Sequence, residues 1–150
     1  MTDDKKPETI DLLVHSRERI NAAPEVLWPY IVGMNWMEYP KLVPISGEPG
    51  QIGERFAGHF DEALEVAAYY VVNVELTPNR RRTMRIEGLD NIPMGFTTFE
   101  LIPNGAETIA MYDVNLRAPL PEGMSAQEML SVSRKGGDDA LRLLKNVVGG

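Results

Sequence analysis

Along residues 12–21 two parities alternate, with Leu12, Val14, Ser16, Glu18 and Ile20 on one side and Leu13, His15, Arg17, Arg19 and Asn21 on the other. A period of two marks extended chain, so this segment predicts a first strand with one mixed and one mostly polar face. Ala22-Ala23-Pro24-Glu25 ends it. Pro24 suits the first turn of a helix, where its missing N–H is no loss, and Glu25 suits the positive end of the helix dipole. A short helix over Pro24 to Val32 is expected, with Val26, Leu27, Tyr30 and Ile31 turned inward, and then a second short helix over Asn35 to Tyr39.

From Leu42 onward Pro44, Gly47, Pro49, Gly50 and Gly53 cut the chain into short pieces. Strands are expected over Val43 to Glu48, Gly53 to Glu62, Leu64 to Thr77, Arg82 to Leu89, Met94 to Pro103 and Glu107 to Arg117. The connections Thr77-Pro78-Asn79, Asp90-Asn91-Ile92-Pro93 and Pro103-Asn104-Gly105 are short, as an antiparallel meander requires. After Pro119 and Pro121, Ser125 can cap a long helix with Gln127 and Glu128 in its first turn and apolar residues continuing to Val148. The order is strand, two short helices, six strands and a long helix. No repeat, low-complexity tract or linker interrupts it, so a single domain over residues 1–150 is expected.

Within that order, Arg19-Ile20-Asn21-Ala22-Ala23-Pro24-Glu25-Val26-Leu27-Trp28 and Gly47-Glu48-Pro49-Gly50-Gln51-Ile52-Gly53-Glu54-Arg55 resemble the START-like helix-grip (SRPBCC) superfamily, especially its bacterial polyketide cyclase/dehydrase branch. The likeness covers nearly the whole chain. It implies an α+β helix-grip fold, in which a strongly curved seven-stranded antiparallel sheet grips the C-terminal helix and two short helices follow strand 1, with a ligand cavity between sheet and helix. Members of the superfamily bind or transport lipids, hormones and polyketides, and some catalyse cyclisation or dehydration. No universal catalytic motif comes with the fold, which leaves function open.

Alternation then assigns an inner face of Phe56, Gly58 and Phe60; Val66, Ala68, Tyr70, Val72, Val74 and Leu76; Met84 and Ile86; Thr97, Phe99 and Leu101; and Ala110, Tyr112, Val114 and Leu116. The opposite positions carry Arg55, His59, Asp61, Glu65, Asn73, Glu75, Arg85, Glu87, Glu100, Asp113 and Asn115, so charge is kept largely outside. The covering helix presents Leu130, Ser133, Gly137, Ala140, Leu141, Leu144 and Val148, small in the middle and large at the ends. Gly136-Gly137 there implies a close approach, a bend or a cavity roof; with the implied fold, a roof is the expectation. Trp28 and Trp36 from the short helices, Tyr70, Met84, Phe99 and Tyr112 from the strands, and Met129, Ser133 and Gly137 from the long helix are the expected ligand-binding residues, an apolar lining with few polar anchors.

Composition narrows the chemistry. With 22 acidic against 15 basic residues and a formal charge of -7, a phosphate backbone is a poor partner, and no nucleic acid is expected. The one basic cluster, Arg80, Arg81, Arg82 and Arg85, reads as a solvated turn, with an anionic ligand group left open there. The absence of cysteine removes disulfides, thiolate nucleophiles and most structural zinc sites. His15 and His59 both fall on outer faces and cannot build a multi-histidine metal site; the neighbours Asp61-Glu62 and Asp138-Asp139 diverge rather than converge. Gly47 to Gly53 lacks the lysine and following helix of a phosphate loop. No metal or cofactor is expected, and no apolar run reaches the length of a membrane span, which makes a cytoplasmic location, no integral membrane association and, through exposed edge strands, a homodimer the expectations. The function expected is binding of a small hydrophobic molecule, polyketide-, lipid- or aromatic-like, between the sheet and the C-terminal helix. The alternative is a polyketide cyclase or dehydratase in the same cavity, for which no residue can be chosen as acid or base.

Overall fold

The computed structural model describes residues 8–34, 36–37 and 40–149. Its elements run β1 (Thr9–Ile20), α1 (Pro24–Gly33), β2 (Lys41–Ser46), β3 (Arg55–His59), β4 (Ala67–Thr77), β5 (Arg81–Glu87), β6 (Pro93–Asn104), β7 (Glu107–Pro119) and α2 (Ala126–Val147). The strands form one antiparallel sheet in the order β1-β7-β6-β5-β4-β3-β2, so the meander is closed by the first strand docking on the last. β1 and β7 pair without a break from Thr9↔Pro119 to Ile20↔Thr108. Helix α2 lies over β1 and β7, while α1 packs near β6.

Seven antiparallel strands and a long C-terminal helix match the expectation, but the described residues contain two helices rather than three. Of the second short helix expected over Asn35 to Tyr39, Trp36 and Met37 lie in a turn and irregular chain; positions 35, 38 and 39 lie outside the described residues. The physical reason is local. Met34 takes the left-handed conformation that ends α1, and the Trp36 indole donates back to Tyr30 O at 2.7 Å, so this segment satisfies the carbonyl end of α1. Within α1, Pro24, Leu27 and Ile31 are buried at helical spacing, whereas Val26, expected inward, falls off that stripe and is exposed.

The inner face follows the expected parity on β3, β5, β6 and β7, where Phe56, Met84, Ile86, Thr97, Phe99, Leu101 and Ala110 are all buried. Strand β4 runs in the opposite phase. Phe56 pairs with Val71 and Gly58 with Tyr69, so Tyr69, Val71 and Asn73 face inward and Tyr70 and Val72 outward, beside Glu87 and Arg85. A register shift between Asn73 and Glu75 then returns Leu76 to the inside, opposite Arg82. Phe60 and Val66, expected on the inner face, lie beyond the strand ends and are exposed.

Arg82 departs furthest from the solvated turn expected of its cluster, because it is 0% exposed. Its guanidinium donates to Ile31 O and Val32 O, the carbonyl end of α1, and bidentately to Asn73 Oδ1 at 2.9 and 2.6 Å. It lies 5.3 Å from the Phe56 ring centroid. Burial lowers its pKa to about 10, opposed by the nearby Glu54 carboxylate. Arg81 pairs with Glu75 on the outer face and Arg85 with Glu87. Replacing Arg82 by Met strips buried acceptors of their donors and is expected to cost about 2–4 kcal/mol, with Lys recovering only part because one ammonium cannot span both acceptor groups. Chemical denaturation checks this against Arg80→Met on the exposed turn, expected within about 0.5 kcal/mol of wild type. Equal midpoints for the two variants would remove Arg82 from its bridging role.

Candidate functional site: the concave face beneath α2

The two ends of the sheet differ. At the α1 end the interior is filled: Trp36 meets Phe99 edge-on with ring centroids 6.0 Å apart, and Ile20, Leu27, Ile31, Phe56 and Leu101 close around them. The second half of α2 is anchored there through Ala140, Leu141 and Leu144. At the other end the first half of α2 is largely uncovered. Met129 and Ser133 are only half-buried, and Leu130, on the same stripe, is 37% exposed. Beneath it the inward-facing Tyr112, Val114 and Leu116 of β7 also keep part of their surface open. The connections α1–β2, β3–β4, β5–β6 and β7–α2 share this end of the antiparallel sheet; β3–β4 exposes Leu64 and Val66, and β5–β6 exposes Leu89 and Ile92.

Between the ends lies a small polar cluster on an otherwise apolar wall. Tyr112 stacks on Phe99 with centroids 4.3 Å apart and pairs across strands with Ser16. Thr97, two residues along β6 from Phe99, approaches the Tyr112 phenol but makes no hydrogen bond of full geometry; its hydroxyl and that of Ser16 are buried without partners among the described residues. Tyr69 leans across Gly58, whose missing side chain leaves the space: a Cβ there would stand 2.5 Å from Tyr69 Cζ. Desolvation pushes the Tyr112 phenol up to about 12, moderated by Thr97. Desolvation also raises Tyr69, with the charge of Tyr112 adding to it. Both are neutral donors at physiological pH.

The expected site residues are thus divided. Met84, Phe99 and Trp36 are buried in the core, Trp28 packs on its margin, and Tyr112, Met129 and Ser133 border the uncovered region. Tyr70 is not among them: it lies on the outer face, 4.5 Å beneath the Arg55 guanidinium. Gly137 is a close contact rather than a cavity roof, since a Cβ would stand 2.6 Å from Ser16 Oγ and 3.5 Å from Tyr112 Cδ2, while Gly136 beside it faces open space. Tyr69, Thr97 and Ser16 went unselected; Thr97 was placed inward by alternation, and only the parity of β4 concealed Tyr69. His15 meets Asp113 on the outer face, and His59, expected at the surface, is buried with Nδ1 3.0 Å from Val66 O. No group of three or more metal-ligating side chains gathers among the described residues, and none of their helices is long and apolar enough to cross a membrane.

Solved structures carry the same architecture. CalU16 from Micromonospora echinospora matches with 18% identity, a TM-score of 0.60 and coverage of 94% of this chain and 86% of its own. The Aha1 dimer from Colwellia psychrerythraea matches with 14% identity, a TM-score of 0.64 and coverage of 91% and 96%. Norcoclaurine synthase from Thalictrum flavum, in complex with dopamine and hydroxybenzaldehyde, matches with 13% identity, a TM-score of 0.62 and coverage of 93% and 85%. No protein-family profile matches the sequence, and no characterised protein matches it by sequence alone. The fold is the START-like helix-grip fold that the sequence resemblance implied.

Two outcomes follow from this geometry. Gly137→Leu is expected to overpack the contact with β1 and β7 and cost about 1–3 kcal/mol. Gly137→Ala costs less, and Ser16→Ala relieves part of it, so a double-mutant cycle by denaturation gives a coupling of about 0.5 kcal/mol or more; strict additivity would mean the helix does not rest on Ser16. The phenols also set a sign at high pH. Tyr112 ionises more readily in the unfolded chain, near 10, than in the fold, near 12. Its stabilising contribution is therefore complete below pH 10 and is lost as pH rises towards 12. Denaturation between pH 9 and 12 is expected to fall less steeply for Tyr112→Phe than for wild type.

Proposed function

We propose that the protein binds a small, largely apolar molecule in the cleft between the concave face of the sheet and the first half of α2. The observation that carries this reading is that Val114 and Leu116, which face inward on β7, and Ser133 on the facing half of α2 all keep part of their surface exposed. The inward-facing residues of β7 at this end are uncharged, and apolar loop residues lie at the cleft's end. An apolar recess with few convergent polar groups is the usual form of a small-molecule site. That norcoclaurine synthase is a complex with dopamine and hydroxybenzaldehyde supports small aromatic ligands for this fold. Binding is favoured over cyclisation or dehydration because the one carboxylate on the inner face of β1, Glu18, is held by Lys145 at 3.3 Å and offers no unengaged base. The Aha1 dimer supports, for this chain, a homodimer joined through the edge strands β1 or β2.

An anilinonaphthalene dye is expected to bind at one site per chain and to raise the melting temperature, with stabilisation of about 2.7 kcal/mol at a hundredfold excess over Kd. Ser133→Trp fills the cleft from α2 and is expected to abolish dye binding while the circular dichroism spectrum is retained. Undiminished binding by this folded variant would refute the site.

A further inference from the structure

Five large apolar residues gather on the turns at the open end of the sheet. Phe60, Leu64 and Val66 of the β3–β4 connection and Leu89 and Ile92 of β5–β6 keep 41% to 68% of their surface exposed. β4 and β5 are neighbours in the sheet, with Tyr70 paired to Glu87 near this end, so the two turns lie side by side. Single exposed apolar residues are ordinary, whereas a group on adjacent turns marks an interaction surface. We propose that these turns form a docking surface for a basic amphipathic helix of a partner protein. The tips are held outward before any partner arrives. Asp61 Oδ2 accepts from Glu65 N and Val66 N at 2.7 and 3.2 Å, Val66 O lies 3.0 Å from His59 Nδ1, and Ile92 is tied to Gly88 N and Asp90 Oδ1. Leu64 stands in the left-handed region at φ 55°, which asparagine or glycine adopts at lower cost. A surface already formed loses little freedom on binding.

Charge decides the partner. Residues 60–66, 88–92 and 120–125 contain Asp61, Glu62, Glu65, Asp90 and Glu122 and neither lysine nor arginine. Of the strand cations, Lys41 opens β2 at this end, and Arg55 reaches Asn91 but is paired with Glu87. A second copy of the chain would bring the same carboxylates against these turns. An anionic lipid surface would be repelled, and carrying Asp61, Glu62, Glu65 and Asp90 into a bilayer would strip them of water. Lysine or arginine interleaved with apolar side chains complements both features at once. The length also fits: from β3 to β7 the sheet end spans four strand spacings, about 19 Å, which an α-helix of about 13 residues matches.

A fluorescein-labelled model helix of about 14 residues, leucine on one face and lysine on the other, tests this by fluorescence anisotropy. Wild type is expected to bind it at one site per chain, and to bind about tenfold more weakly the same peptide with glutamate for lysine or glutamine for leucine. Leu89→Ser/Ile92→Ser and Val66→Ser are each expected to weaken binding by about tenfold, and Glu62→Gln/Glu65→Gln by about threefold with a shallower salt dependence. Ile45→Ser/Ile52→Ser, at exposed apolar positions on the opposite end, leaves it unchanged. Leu64→Asn separates docking from folding: its denaturation midpoint is expected to rise while peptide binding weakens by roughly threefold to tenfold. Equal loss in every variant, or a Leu64→Asn protein with a lowered midpoint and intact binding, would overturn the docking surface. Loop-dependent binding to phosphatidylglycerol vesicles in place of the peptide, or a loop-dependent dimer by light scattering, would overturn it too. The anilinonaphthalene dye is expected to stay bound when peptide is added; its displacement would place the peptide in the cleft and refute the loops. Peptide binding through the loops by a protein that takes no dye would sustain the docking surface and refute the cleft alone.

Discussion

The Arg82 guanidinium is the constraint around which the closed end of the molecule is organised. A charged group with no exposed surface is tolerable only if each of its donors is matched, and here the acceptors come from separate parts of the chain. Two are the last carbonyls of α1, which a helix leaves unpaired and which carry the negative end of its dipole. The third is Asn73 on β4, whose amide donates in turn to Gln51 O, while its backbone exchanges hydrogen bonds with Gly53 and Glu54. One side chain thus locks helix, sheet and the 47–54 loop into a single arrangement. Specificity of position, more than net stability, is what such a buried network supplies.

That lock makes the two ends of the fold unlike. Where Arg82 and Trp36 hold α1 down, aromatic and aliphatic side chains fill the interior, and the second half of α2 can bury Ala140, Leu141 and Leu144. At the other end Leu12 and Val14 of β1 are buried, while the apolar wall of β7 beside them, Val114 and Leu116, remains partly open. Gly137 stands at the boundary. Its lack of a side chain lets the helix approach Ser16 and Tyr112, so the glycine sets how far the helix descends, and the separation of helix and sheet beyond it is a consequence of that descent.

The inner cluster follows from the same economy of side chains. Gly58 and Gly137 sit on opposite sides of the concave face, and each makes way for a tyrosine, Tyr69 at one and Tyr112 at the other. Desolvation raises both phenols above their ordinary range, and the hydroxyl of Thr97, diagonal to Tyr112 on β6, is buried without a partner among the described residues.

Much of this architecture was legible in the order of residues. Alternation determined the strands and most of the inner face because the pleat has a period of two, and Ser125 marked the start of α2, where it accepts Glu128 N at 3.1 Å. The Ala-Pro-Glu and glycine-turn elements carried the fold resemblance. Strand β4 shows where this stops: in Ala67-Ala68-Tyr69-Tyr70-Val71-Val72 each residue type occurs once on each face, so the period is silent on phase, and the ladder to β3 decides it. Arg82 was equally opaque, since its acceptors Ile31 and Val32 lie some fifty positions away and a basic cluster at a turn is usually solvated. Whether Gly137 roofs a void or permits a contact likewise depends on where Ser16 and Tyr112 stand across the helix. Sequence by itself determined which segments are strands and most of the helices and which side chains are apolar, since those follow from local period and propensity; only tertiary structure decided the phase of β4, the burial of Arg82 and the contact of Gly137 with Ser16 and Tyr112, because each depends on groups brought together by the register and curvature of the sheet.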